Sequence, residues 1–233
     1  RTIPAQTPIP LEGGWNYVPY LPSYELDASS PDFAVLGDFT EFVIIARDDH
    51  GGFMVPIEDF STMGDWTPGE GYQIAVSEDI NFVYGLEDPE NAVFVGDDNS
   101  SPEAHWTAPR PTANNMSVLI KSVAGFAPAE GDQVAAFDAD GVLVGVTTFI
   151  EDGRAGLTVW GDDSATEYED GLLNGENFTV KIWDADRSIE LNTEAGAIEM
   201  GNGLVFETDA LLILNLIAEA TAPVDYYLAQ NFP

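Results

Sequence analysis

The sequence comes nearest to chemistry at its acidic turns: Asp138-Ala139-Asp140-Gly141, Asp162-Asp163 and Asp170. A hard cation such as Ca2+ takes several oxygens at once from carboxylates and backbone carbonyls, and short Asp/Gly runs supply both. The hairpin run is not an EF-hand loop. Counted from Asp138, positions five and twelve hold Val142 and Phe149 where acids are required. The expectation is therefore a non-EF-hand Ca2+ site where Asp138, Asp140, Asp162, Asp163 and Asp170 meet. The competing reading is that these acids cap their own turns and stay solvated.

Other chemistries find less support. His50 and His105 are the two histidines, and neither lies in a zinc or Ser-His-Asp pattern. No Gly-x-Ser-x-Gly elbow and no phosphate loop occurs. A carboxylate pair for glycoside cleavage could be drawn from 41 acids, but nothing singles one out. Trp15, Trp66, Trp106, Trp160 and Trp183 could stack on sugars, although tryptophan at strand positions more often fills a core.

The elements that carry these residues read as strands. Gly131 to Phe149 is a hairpin turning at Asp140-Gly141, a pair suited to a primed turn with positive φ at both central residues. Val142 to Phe149 is apolar nearly throughout, which predicts cover on both faces. Further strands are expected at Phe42–Arg47 and Phe53–Ile57 around an Asp48–Gly52 loop, and at Tyr72–Val76, Ile80–Tyr84, Ala92–Val95 and Met116–Val123. The rest fall at Leu157–Trp160, Phe178–Asp184, Ile189–Leu191, Val205–Glu207 and Ala210–Ile217. Pro19 and Pro22 place the Trp15–Tyr20 strand at an edge. Pro31 opens a short helix or turn. Thr2 to Pro10 is an extended lead-in. Ala210–Ile217 is apolar on every side, so periodicity does not separate helix from strand; its β surroundings favour strand.

The fold class is thus all-β, as two β-sandwich-like domains in tandem. Residues 1–88 form the first, 89–111 a linker, 112–221 the second, and 222–233 a tail.

Composition narrows the setting. The 233 residues carry 41 acids against 7 bases, a formal charge of −34. Such a surface repels nucleic acid and anionic lipid. It also strains the fold by self-repulsion, which points to a saline or cation-rich environment. There is no cysteine, so disulfides, thiolate metal sites and cysteine nucleophiles are excluded. No apolar run is long enough to span a bilayer. A chain opening at Arg1 without a signal-peptide pattern reads as a processed or excised segment.

Three stretches resemble modules of secreted proteins from Bacteroidota-like bacteria. In the first half these are Gly14-Trp15-Asn16, the Asp48–Gly52 turn, and Trp66-Thr67-Pro68-Gly69-Glu70-Gly71-Tyr72. In the second half they are Gly131–Gly141, Trp160–Thr166, Asp170–Glu176 and Lys181-Ile182-Trp183. Many such modules carry Cys near the position of Leu143. The tail Tyr226-Tyr227-Leu228-Ala229-Gln230-Asn231-Phe232-Pro233 resembles the opening of a type IX secretion sorting domain. The resemblance implies export to the cell surface or medium, and no activity. Asp163-Ser164-Ala165 also matches a short O-glycan acceptor pattern of such proteins. The expected role is a non-enzymatic structural or adhesive module, self-associating and able to build a filament. The alternatives are a carbohydrate-binding accessory region, with polysaccharide as partner, and a hydrolase.

Overall fold

The computed structural model describes residues 6–86, 104–168 and 170–219. The start of the lead-in, the strand expected at Ala92–Val95 and the 222–233 tail lie outside these residues. The chain is all-β. Among the described residues, helix is confined to short 3-10 segments at Ala34–Phe42 and Pro56–Glu58, and no helix is long and apolar enough to cross a membrane.

The first half builds β1 (Ile9–Leu11), β2 (Gly14–Pro19), β3 (Val43–Arg47), β4 (Phe53–Val55), β5 (Phe60–Ser61), β6 (Gly71–Val76) and β7 (Ile80–Phe82). Five of these make a sheet in the order β2-β6-β3-β4-β5, and β1 pairs with β7 beside it. The proline-marked strand is an edge, as expected. The Asp48–Gly52 loop joins β3 to β4.

The second half builds β8 (Asn115–Ala124), β9 (Gln133–Phe137), β10 (Leu143–Thr148), β11 (Ala155–Trp160), β12 (Thr179–Asp184), β13 (Ile189–Met200) and β14 (Leu211–Ala218). Its sheet order is β10-β9-β12-β13-β14-β8-β11. The two end strands curl round to meet, so the sheet nearly closes into a barrel. The approach is tight, because a Cβ on Gly145 of β10 would stand 2.2 Å from the Thr158 carbonyl oxygen of β11.

Several expectations are corrected. β10 is an end strand of this sheet, not a middle one. Val142 just before it is 58% exposed, and Thr148 is exposed as well. Its apolar run reflects one face on the core and contact with β11, not cover on both faces. The hairpin turn has positive φ at Gly141 alone, so it is not the primed two-residue turn. Instead Asp138 N–H donates to the Val142 carbonyl and Gly141 N–H to that of Asp138, and a bulge follows between Leu143 and Gly145. The strand expected over three residues at Ile189 runs for twelve, pairing first with β12 and then, through bulges, with β14. Val205 contributes a single bridge to Asn177 instead of a strand.

Three apolar clusters hold this together. One fills the first half around Trp66, Tyr72, Phe33 and Phe82. Another fills the near-barrel around Val118, Val134, Leu157, Phe206 and Leu214. The third lies between the two sheets: Ile45, Phe53, Val55, Phe60 and Ala75 against Leu119 and Ile213. Period-two alternation explains it. Along β4, Phe53 and Val55 face the far sheet while Met54 faces its own core. Along β14, Leu212, Leu214 and Leu216 face the near-barrel while Ile213 faces the first half. β14 is strand, as its surroundings predicted; one face lies on the near-barrel core, and the other is covered at Leu211 and Ile213 while Ile217 stands exposed.

Candidate functional site

The two first-half motifs, far apart in sequence, converge on one cavity of about 220 Å³. Asp48, Asp49 and His50 line it from the β3–β4 loop. Asp65, Trp66, Thr67 and Glu70 line it from the turn before β6, and Tyr72 from the start of that strand. The loop is shaped by Asp48, whose Oδ1 accepts hydrogen bonds from the N–H groups of His50 (2.9 Å) and Gly52 (2.8 Å). That is an Asx turn, which short polar side chains form readily. The opposite wall is fixed by paired backbone bonds between Leu26 and Trp66, at 3.1 and 2.8 Å. The Trp66 and Tyr72 rings stack at 3.8 Å, and the Tyr72 hydroxyl accepts from Thr67 N–H at 3.0 Å.

The electrostatics follow from this crowding. Desolvation, then the neighbouring Asp27 and Glu25 charges, push the Asp65 carboxyl above its usual range. Burial pushes the Tyr72 hydroxyl up, against the hydrogen bond from Thr67 that favours its anion. Donor atoms of Asp48, Asp49 and His50 lie within 4.8 Å of one another. Two carboxylates and an imidazole are a donor set that suits a divalent first-row cation. Asp49 and His50 are largely exposed and bond each other at 2.7 Å, so at rest they are a hydrated loop-tip pair.

The acids expected to gather around Ca2+ fall into two places. Asp162, Asp163 and Asp170 share one loop. There Asp163 N–H donates to Asp170 Oδ1 (2.9 Å), Asp170 N–H donates to Asp162 Oδ1 (3.0 Å), and Thr166 Oγ1 donates to Asp170 Oδ2 (3.2 Å). Asp138 Oδ1 likewise accepts from Asp140 and Val142 N–H in the β9–β10 turn. The metal-like grouping found among the described residues includes none of the five. Oxygens of Asp138, Asp162, Asp163 and Asp170 face backbone donors, which is the capping geometry. Asp170→Ala is therefore expected to cost about 1–2 kcal/mol in urea unfolding, as loss of bonds to a charged acceptor does. The loss should be the same with and without millimolar Ca2+ at constant ionic strength. Calcium stabilisation of the wild type that vanishes in the variant would establish the Ca2+ reading instead.

The five tryptophans are all engaged in packing. Trp66 and Trp160 are buried. Trp183 is covered by the His105 ring, stacked at 3.6 Å, and Trp106 meets the edge of Phe137. Trp15 lies under the Arg47 guanidinium at 4.3 Å. No coplanar exposed row exists among the described residues.

Sequence reasoning missed the junction between the two sheets, where three of the seven basic residues are placed. Arg47, 3% exposed, donates from Nε to Gln73 Oε1 (2.7 Å) and from Nη1 to Asn115 Oδ1 (2.7 Å), and its Nη2 pairs with Asp209. Arg154 donates to the Glu58 and Asp59 carbonyls at 2.8 and 3.0 Å. Lys121 bridges Glu58 and Glu199, at 2.8 Å each. Those two bonds raise the Lys121 ammonium above its ordinary range. Thr158 Oγ1 donates to the Gly51 carbonyl at 2.7 Å, and Gly51, at φ 98°, lies so close that a Cβ there would stand 3.1 Å from the Trp160 ring. The available signal was Arg47 itself, a cation closing the apolar run Val43-Ile44-Ile45-Ala46 in a chain nearly without bases. No family model, curated protein or solved structure matches the chain.

Proposed function

We propose that the chain is a non-enzymatic structural or adhesive module of an extracellular surface protein, working by self-association. The observation that carries this reading is the junction. Two β layers are fastened face to face by a shared apolar cluster, a buried arginine and two further cationic bridges. Such an assembly resists relative motion of its layers, which a load-bearing or spacing element needs. The engagement of all five indoles in packing favours this over a sugar-stacking surface. The dense negative charge fits an exposed life in salt, where copies can approach. Light scattering and negative-stain microscopy of the purified chain, from low salt to about 1 M, test it. Oligomers or fibres that grow with salt and concentration are expected. Monomer throughout that range rejects the reading.

A further inference from the structure

We infer that the free edge of β2 docks β2 of a second copy, an inference that rests on the self-association reading above. β2 ends the five-stranded sheet and pairs only with β6, so one side of its backbone has no strand beside it among the described residues. Natural sheets protect such edges with charge, with proline, with extreme shortness or with cover. The other ends show these devices. β5 has two residues, preceded by Glu58 and Asp59 and followed by Asp65. β10 and β11 face each other. β1 and β7 have three residues each.

β2 carries one such device at its end only: Pro19 has no N–H, and its carbonyl accepts from the Tyr84 hydroxyl at 2.8 Å, which leaves Gly14 to Val18 as the open part of the edge. Gly14-Trp15-Asn16-Tyr17-Val18-Pro19 carries no charge in a chain that is 21% charged. Tyr17 stands 82% exposed on it. The one long polar side chain, Asn16, turns back to its own turn, donating to the Glu12 and Gly14 carbonyls at 2.7 and 2.9 Å.

The chemistry of the strand selects the occupant. A basic partner strand would need carboxylates opposite it, and β2 offers none. A neutral strand of the same kind meets no like-charge pair within the ladder. An antiparallel β2–β2 contact is also self-complementary, so it closes as a two-fold dimer and joins the two five-stranded sheets into one. Acids stand near the strand ends, at Glu12, at Asp79, whose Oδ1 accepts from Gly13 N–H, and at Glu70, whose carbonyl accepts from Tyr20 N–H. Antiparallel pairing brings Glu12 of one copy toward Glu70 of the other, so the dimer needs salt to form.

The test uses the full chain by sedimentation velocity in about 1 M NaCl, where the Debye length is roughly 3 Å. Wild type is expected to dimerise. Tyr17→Lys places the usual edge-protecting charge at an exposed position and is expected to weaken the dimer at least tenfold, with an unchanged melting temperature at low salt, where the chain is monomeric. Tyr17→Cys supplies the chain's sole thiol for a nitroxide label. A six-residue strand is about 20 Å long, so dipolar spectroscopy should find the two labels within about that distance in any β2–β2 register. If wild type associates, but Tyr17→Lys associates as tightly and the labels lie farther apart, the β2 edge is wrong and self-association stands. If wild type is monomeric at this salt, the self-association reading fails, and the edge with it.

Discussion

Arg47→Ala should be the most damaging single substitution at the junction, costing about 3–5 kcal/mol, as removal of one partner from a buried ionic cluster does. The guanidinium is nearly inaccessible and makes three differently directed contacts, to Gln73, Asn115 and Asp209. Alanine leaves two amide oxygens and a carboxylate facing a space that water fills poorly. It also uncovers Trp15, whose Nε1 donates to the Asp209 carbonyl at 3.1 Å. A typical domain is stable by about 5–15 kcal/mol, so the loss is a large fraction of the whole. Arg47→Lys keeps the charge but not the planar fork, and should recover less than half. Asp209→Ala should cost less than Arg47→Ala, because the Asp209 side chain is 44% exposed and water replaces it. Urea unfolding followed by tryptophan fluorescence measures all three. Among the described residues the layers meet through a small apolar cluster, the buried Ile45, Phe53, Val55, Phe60, Ala75, Leu119 and Ile213 with Trp15, Ile150 and Leu211 packed against them. Loss of Arg47 should therefore also separate their unfolding, and the single wild-type transition should become two. A loss under about 1 kcal/mol, the scale of an exposed pair, would show that the arginine is not the fastening.

Local patterns carried much of the fold and little of the site. Alternation and turn residues located β3, β4, β6, β9, β11, β12 and β14 within a few residues, because each is a short apolar run between turn signals. They failed where burial is set from a distance. β10 reads like a central strand because it touches β11, which no local pattern records. β13 was seen only at its start because Asn192-Thr193-Glu194-Ala195-Gly196-Ala197 lacks alternation, and its second part is held by pairing with β14. The cavity was half legible. The Asp48–Gly52 and Trp66–Tyr72 motifs were marked separately, and their meeting depends on β3 and β6 being neighbours in the sheet. The acids proposed for Ca2+ were marked by type, yet type alone does not say whether an oxygen faces a cation or a backbone N–H. The junction was invisible for a related reason. Phe53 and Ile213 are ordinary core residues in sequence, and only the stacking of the sheets makes them a shared surface.

The melting temperature should rise by on the order of 10 °C between low salt and about 1 M NaCl, since each kcal/mol is worth about 2–4 °C at this size. Thirty-four uncompensated negative charges are the cause. Two carboxylates about 10 Å apart in water repel by roughly 0.4 kcal/mol, and a few tens of such pairs sum to several kcal/mol. At about 1 M salt the Debye length falls to roughly 3 Å, and most of that repulsion disappears. Salt also screens favourable pairs, so the sign depends on which set is larger. The cationic bridges are few, and those of Lys121 and Arg154 are partly exposed, where a pair is worth about 0–1 kcal/mol. The Arg47 guanidinium is buried and two of its three contacts are to neutral amides, so salt reaches only its pair with the part-exposed Asp209. Repulsion therefore dominates, and stability rises. Two controls separate screening from other salt effects. NaCl and MgCl2 at equal ionic strength should give similar gains, because no specific cation is invoked. The destabilisation by Arg47→Ala should change little between low and high salt, because two of the three lost contacts are to neutral amides that salt does not screen. A flat melting temperature across the salt range would remove the self-repulsion argument, and with it the inference of a saline working environment.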